Sequence, residues 1–256
     1  MDVTGATGFS RWQAAGTHLL VSIAIAVAVV ALMLALWYPG PLFEAAGGTG
    51  LLYILVGVDV VLGPLLTLIV FKSGKRGMKF DLAAIGLVQA AALLYGMHVV
   101  FLARPAFLVF VKDRFELAIA AELDPGELAA ARYPQFRMPP WTGPLFAAAD
   151  MPADPAERSR LIAAALAGLD LQHFPRYYVP YSERTKEILA KAGAVARLRA
   201  TDPAIAKVVD EYLASSGTKE ADVRSLLLRT RYAWLAVLID SKTAQPVKIL
   251  LGEKIR

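Results

Sequence analysis

Residues 51–71 read LLYILVGVDVVLGPLLTLIVF, an apolar run of membrane-spanning length with an aspartate, Asp59, well inside it. Two further apolar runs flank it, at 17–38 and 82–103. Runs of about 18 or more apolar residues are candidates for transmembrane helices. At about 1.5 Å per residue, each of these can cross a hydrocarbon core of roughly 30 Å. A carboxylate within such a helix costs at least ~2.5 kcal/mol to insert, so it must face a partner or a polar cavity. The pattern predicts a membrane protein with three N-terminal transmembrane helices and a polar point in the middle one.

The rest of the chain is of another kind. Residues 104–256 carry 22 Lys/Arg and 18 Asp/Glu, the charge density of a water-facing domain long enough to bury a core. The expected division is a transmembrane domain over 1–104 and an α+β domain over 105–256. The pI near 9.4 does not mark a nucleic-acid binder, because the basic residues form no stripe. The basic loop KSGKRGMK (72–79) holds four Lys/Arg, whereas PGPLFEAAGGTG (39–50) has Glu44 as its only charge. The positive-inside rule then puts 72–79 and the N-terminus in the cytoplasm, and 39–50 with the large domain outside; in a bacterial inner membrane, outside is the periplasm. The first run exceeds the 7–15 or so apolar residues of a signal peptide and two runs follow it, so an uncleaved anchor is expected. The chain has no cysteine, and the outer domain must be held by its core alone.

Within 105–256, FLVFV (107–111) and FELAI (115–119) flank a charged break and suggest a hairpin, although the second run would also suit a helix. Asp124-Pro125-Gly126-Glu127 and Asp154-Pro155-Ala156-Glu157 are helix starts, with Asp as cap and Pro at the first position. The spacing predicts irregular chain over 133–144, a strand at 145–150, helices over 184–192 and from a Thr201-Asp202-Pro203 cap to about 214, and another helix over 218–228. A closing hairpin is expected at 232–240 and 246–251.

No arrangement of catalytic residues stands out. His18, His98 and His173 fall at separate places in this topology, so neither they nor any cysteine set offers a metal site, and no cofactor motif appears. Asp59 lacks the second carboxylate that an intramembrane aspartyl protease requires. An enzyme is therefore not expected; a relay using Asp59 in an envelope enzyme or transporter is the alternative. Asp59 lies about 12 Å below the outer face, at nearly the depth of Tyr95 and a few ångströms below His98. Two readings stay open: an Asp59 hydrogen bond to Tyr95 or His98 that ties two helices, or a contact for a membrane partner. Pro64 should free a backbone carbonyl and kink the helix. Trp141 and the Tyr177, Tyr178 and Tyr181 group lie in Pro-rich segments and are either packed aromatics or a partner-facing surface.

Four strings, SRWQAAGTHLLVSIAIA (10–26), LWYPGPLFEAAGG (36–48), GVDVVLGPLLTLIVFKSGKRGMKFDL (57–82) and LQHFPRYYVPY (171–181), together resemble the TfpX/TfpZ family of type IV pilin accessory proteins. The resemblance implies an inner-membrane helper of pilus assembly, with a type IV pilin or minor pilin and the lipid bilayer as partners, no cofactor and no reaction of its own. It transfers no site residues. The candidate partner-facing positions remain Asp59, Pro64, Tyr95, His98, Trp141, Tyr177 and Tyr178.

Overall fold

A computed structural model describes residues 10–254 apart from positions 74 and 202. The expected Asp202 cap therefore lies outside the described residues. The chain forms two compact units, a helical one and a sheet one.

The helical unit begins with α1 (Arg11–Leu36). Ser10 and Gln13 form a reciprocal capping box at its start, with Gln13 N donating to Ser10 Oγ at 3.2 Å and Ser10 N to Gln13 Oε1 at 2.9 Å. A short α2 (Leu42–Ala45), which belongs to the sheet unit, follows in the chain. The middle run is α3 (Gly48–Gly57), a π turn (Val58–Leu62) and α4 (Gly63–Val70), with helical dihedrals kept through both junctions. The long α5 (Met78–Leu102) completes the unit. On length and composition α1 and α5 can each cross a membrane, and little of either is buried within the chain. Among the described residues there are thus two such helices where three were expected, because the π turn divides the middle run into shorter pieces.

Pro64 accounts for that turn. Its missing N–H removes the donor for Val60 O in an α ladder and for Asp59 O in a π ladder. Gln89 Nε2, from α5, donates to the Asp59 carbonyl at 3.2 Å instead. The approach needs Gly63, since a Cβ there would sit 1.9 Å from Gln89 Nε2. On the other side, His18 Nδ1 and Thr67 Oγ1 lie 2.5 Å apart and tie α1 to α4.

The sheet unit contains β1 (Pro105–Val111), β2 (Arg114–Ile119), α6 (Pro125–Ala129), β3 (Leu145–Ala149), α7 (Pro155–Leu166), β4 (Tyr178–Pro180), α8 (Thr185–Lys191), β5 (Gly193–Ala194), α9 (Val195–Thr201), α10 (Pro203–Ser216), β6 (Val223–Arg229), β7 (Ala233–Asp240) and β8 (Pro246–Lys254). The sheet is mixed and runs β4-β3-β1-β2-β6-β7-β8, with β5 beside β6. Two halves meet at one short parallel seam, Phe115 opposite Leu228 and Glu116 opposite Arg229. Residues alternate across β1: Phe107 and Val109 pack with Phe136 and Tyr178, whereas Phe110 on the other face meets Phe115, which also meets Phe146 and Tyr181. A separate cluster of Val195, Ile205, Val209, Leu238 and Leu250 lies where α9 and α10 cover the second half. Tyr181 Oη donates to Ala244 O at 2.6 Å, joining the segment after β4 to the β7–β8 turn and so curling the sheet.

Two sequence expectations change here. Residues 36–38, read as the end of the first span, and 39–47, read as part of the outer loop 39–50, belong to the sheet unit: Tyr38, Leu42 and Ala45 are fully buried, α2 packs on β7, and Gly143 N donates to Leu36 O at 2.6 Å. Gly47 closes this insert at φ +77, where a Cβ would lie 2.7 Å from the Tyr232 ring. The helix expected over 218–228 is a 3₁₀ turn (Glu220–Asp222) followed by β6, because Val223, Leu226 and Leu228 turn inward while Arg224 and Leu227 turn out. Residues 178–180, within the Pro-rich string, pair as β4 with β3.

Candidate functional site

Asp59 is buried as expected, at 7 % exposure, but its surroundings differ from the expected ones. Among the described residues its Oδ1 has no hydrogen-bond partner, and neither Tyr95 nor His98 bonds to it. Both of those side chains lie on the outside of α5, Tyr95 at 72 % exposure. The bond tying the helices comes from Gln89, six residues before Tyr95, because the acceptor is the Asp59 main-chain carbonyl that Pro64 leaves without a donor. Pro64 itself is buried. The helical unit therefore holds two polar links, His18 to Thr67 and Gln89 to the Asp59 carbonyl, with Tyr95 and His98 facing outward.

The aromatic candidates of the sheet unit also divide. Trp141 is exposed, beside Pro140, whose carbonyl accepts from Arg104 Nε at 2.9 Å. Tyr177 is half-buried. Tyr178 is a core residue: its ring meets Phe107 and Phe136 edge-on at 5.3 and 5.5 Å, and its hydroxyl donates to Gln172 O. Burial pushes its phenol well above the ordinary range. A position in the Pro-rich string suggested surface, but strand alternation in β4 turns Tyr178 inward.

The sequence reading missed a charged cluster at the seam. Arg229 donates to Glu116 Oε2 and Asp170 Oδ2, both at 2.8 Å, and Arg114 stands 3.6 Å from Glu116. Burial raises the Glu116 carboxyl despite these cations, and the bond to Glu116 raises the Arg229 guanidinium. No local signal could have found this group, because β2 and β6 meet only in the folded sheet. Among the described residues, no three His, Asp or Glu side chains are placed to hold a metal.

The family described as "Fimbrial assembly protein FimB" matches residues 7–47, which span α1 and the buried insert. A Dichelobacter nodosus protein named "Fimbrial assembly protein, serogroup E1" is 32% identical over 184 residues, 71% of this chain and 71% of the relative. The chain belongs to the fimbrial assembly protein family. The serogroup I relative from the same organism is 28% identical over 241 residues, covering 92% of this chain and 88% of its own. A third, for serogroups C1 and C2, is 34% identical over 122 residues, 47% of this chain and 89% of the relative. No solved structure matches. Family membership thus covers both units, and the stretch matched by the family description is the one that runs from α1 into the sheet core.

Proposed function

We propose that this protein is an inner-membrane assembly factor for type IV pilins, of the TfpX/TfpZ kind, that works by binding. It holds a pilin or minor pilin with its apolar helix against α3–α5 and its head against the sheet unit. The observation that carries the reading is the relationship, over 92% of the chain, to a protein named for fimbrial assembly. The outward-facing apolar sides of α1 and α5 support the membrane assignment, since such surfaces need an apolar solvent. Connectivity supports three spans. Both α1 and α5 run at their C-terminal ends into the sheet unit, so if both cross in the same direction, residues 48–70 must return between them. Those 23 residues are about 35 Å of helix, enough to cross. With 72–79 cytoplasmic, the sheet unit is periplasmic.

The alternative, an envelope enzyme or transport component using Asp59, draws on the unsatisfied Asp59 Oδ1. Among the described residues no second ionisable side chain bonds to Asp59, and His18 pairs with Thr67 instead.

Photocrosslinkers at Tyr95, His98, Trp141 and Tyr177 test the assembly reading in cells. The membrane positions should trap a pilin through its helix and the other two through its head. Absence of any pilin adduct at normal protein levels would reject the reading.

A further inference from the structure

The sheet unit carries a second surface that the partner-facing candidates above do not include. Between α7 and the β1–β2 hairpin lies a cleft of about 410 Å³, with Leu161, Ile162, Ala165, Met151 and Leu171 as its apolar wall. The apolar surface continues out of the cleft along α7: Ile162 is 65 % exposed and Leu166, one turn on, 88 %. Leu161 of this twelve-residue helix is buried, but Ile162 and Leu166 stand in water, so that side of the helix lacks a neighbour.

The charges around this strip decide what would cover it. Arg229 is occupied by Glu116 and Asp170, and Arg114 by Asp113 at 3.2 Å and by Glu116. Arg158 and Lys112, which also line the cleft, have no carboxylate partner among the described residues. Arg158 donates only to the carbonyls of Pro152 and Ala153, and Lys112 stands exposed at the hairpin tip with φ 58. The apolar wall and two cations without a carboxylate partner together describe a groove for a polypeptide that brings carboxylates. A lipid surface fits less well. The stretch Asp154–Arg160 carries two acids and two bases, whereas interfacial helices are rich in Lys and Arg.

We infer that the α7 cleft docks an acidic, apolar polypeptide segment, with Lys112 and Arg158 meeting its carboxylates and Ile162 and Leu166 its apolar side. That the segment belongs to a pilin head rests on the assembly-factor reading; the chemistry of the groove does not.

The test uses the full chain in detergent and two fluorescein-labelled helical peptides that share one leucine face, one bearing Glu and the other Lys on its flanks. Anisotropy should show the Glu peptide binding at least tenfold tighter than the Lys peptide. The double variant Lys112→Glu/Arg158→Glu should invert that preference, and Leu166→Ala should weaken both peptides. Because Arg158 also holds the loop before α7, Lys112→Glu alone serves as a second variant, with an expected several-fold loss for the Glu peptide only. Equal binding of the two peptides, no binding of either, or recruitment to phosphatidylglycerol vesicles unaffected by the Glu peptide would each overturn the inference. In cells, a crosslinker at Ile162 should capture the same pilin as those at Tyr95 and His98. Adducts at Tyr95 and His98 without one at Ile162 would sink the groove and leave the assembly reading standing; no pilin adduct at any of the three would sink both.

Discussion

Gly63 and Gln89 share a space that one methyl group would fill. The Gln89 amide sits there to reach the Asp59 carbonyl, so Gly63→Ala should push it off and leave that carbonyl unsatisfied. Interhelical polar contacts in membranes contribute about 0.6–2 kcal/mol, and the substitution should destabilise the helical unit by about that much. In a Gln89→Ala background the clash is gone. Gly63→Ala should then be neutral or slightly stabilising, as Ala is favoured over Gly in a helix by about 0.5–1 kcal/mol. Unfolding of the four proteins in mixed detergent measures the cycle, and additive losses would refute the shared-space account. A second single-residue effect concerns acid. Asp240 Oδ1 accepts from Thr243 N at 2.7 Å and Lys242 N at 2.9 Å, which holds its carboxyl below the ordinary carboxylate range. A depressed acid stabilises the fold above its unfolded titration point, near pH 3.9, and loses that contribution as pH falls through the depressed value. Asp240→Ala should lower the unfolding temperature at pH 6 and flatten the acid limb below about pH 4. An unchanged acid limb would show that the turn contributes nothing to it.

At the scale of elements, the strongest expectation is that residues 48–70 recross the membrane. The chain has no cysteine, so a single introduced one reports its side without background. Thr49→Cys and Thr218→Cys should react with a membrane-impermeant maleimide in intact spheroplasts, and Ser73→Cys only after lysis. Labelling of Ser73→Cys before lysis would reverse the topology or remove the middle span. Elements announced by local chemistry were legible in sequence. Asp124 and Asp154 each accept from the backbone N–H two residues on, as caps should, and the hairpins β1–β2 and β7–β8 follow their alternating runs. Elements that exist through distant pairing were not. β6 reads as a helix continuing from Thr218 until β2, β5 and β7 surround it, and β4 exists because β3 offers an edge to Tyr178–Pro180. The candidate site divided in the same way. Burial of Asp59 followed from its apolar neighbours, whereas its link to Gln89 depends on a π turn and the seam cluster on strands far apart in sequence.

The whole molecule is joined by a segment whose fold belongs to one unit and whose sequence lies between helices of the other. Tyr38, Leu42 and Ala45 are as buried as any strand residue of the sheet unit, so that unit is discontinuous in the chain and its core is incomplete without 36–47. Removing most of one fully buried leucine costs about 2–5 kcal/mol, and Leu42→Ala should destabilise the sheet unit by that much while leaving α1 inserted. The same argument makes residues 102–256 alone a defective domain, with the sites of Tyr38 and Leu42 opened to water. Appending 36–47 to that fragment through a flexible linker should raise its unfolding temperature by several degrees and slow its digestion by thermolysin. Leu42→Ala in the appended segment should remove most of the gain. If the two fragments unfold alike, the insert is a passenger on the sheet. If they differ, 36–47 is a structural part of the sheet core rather than a connecting loop.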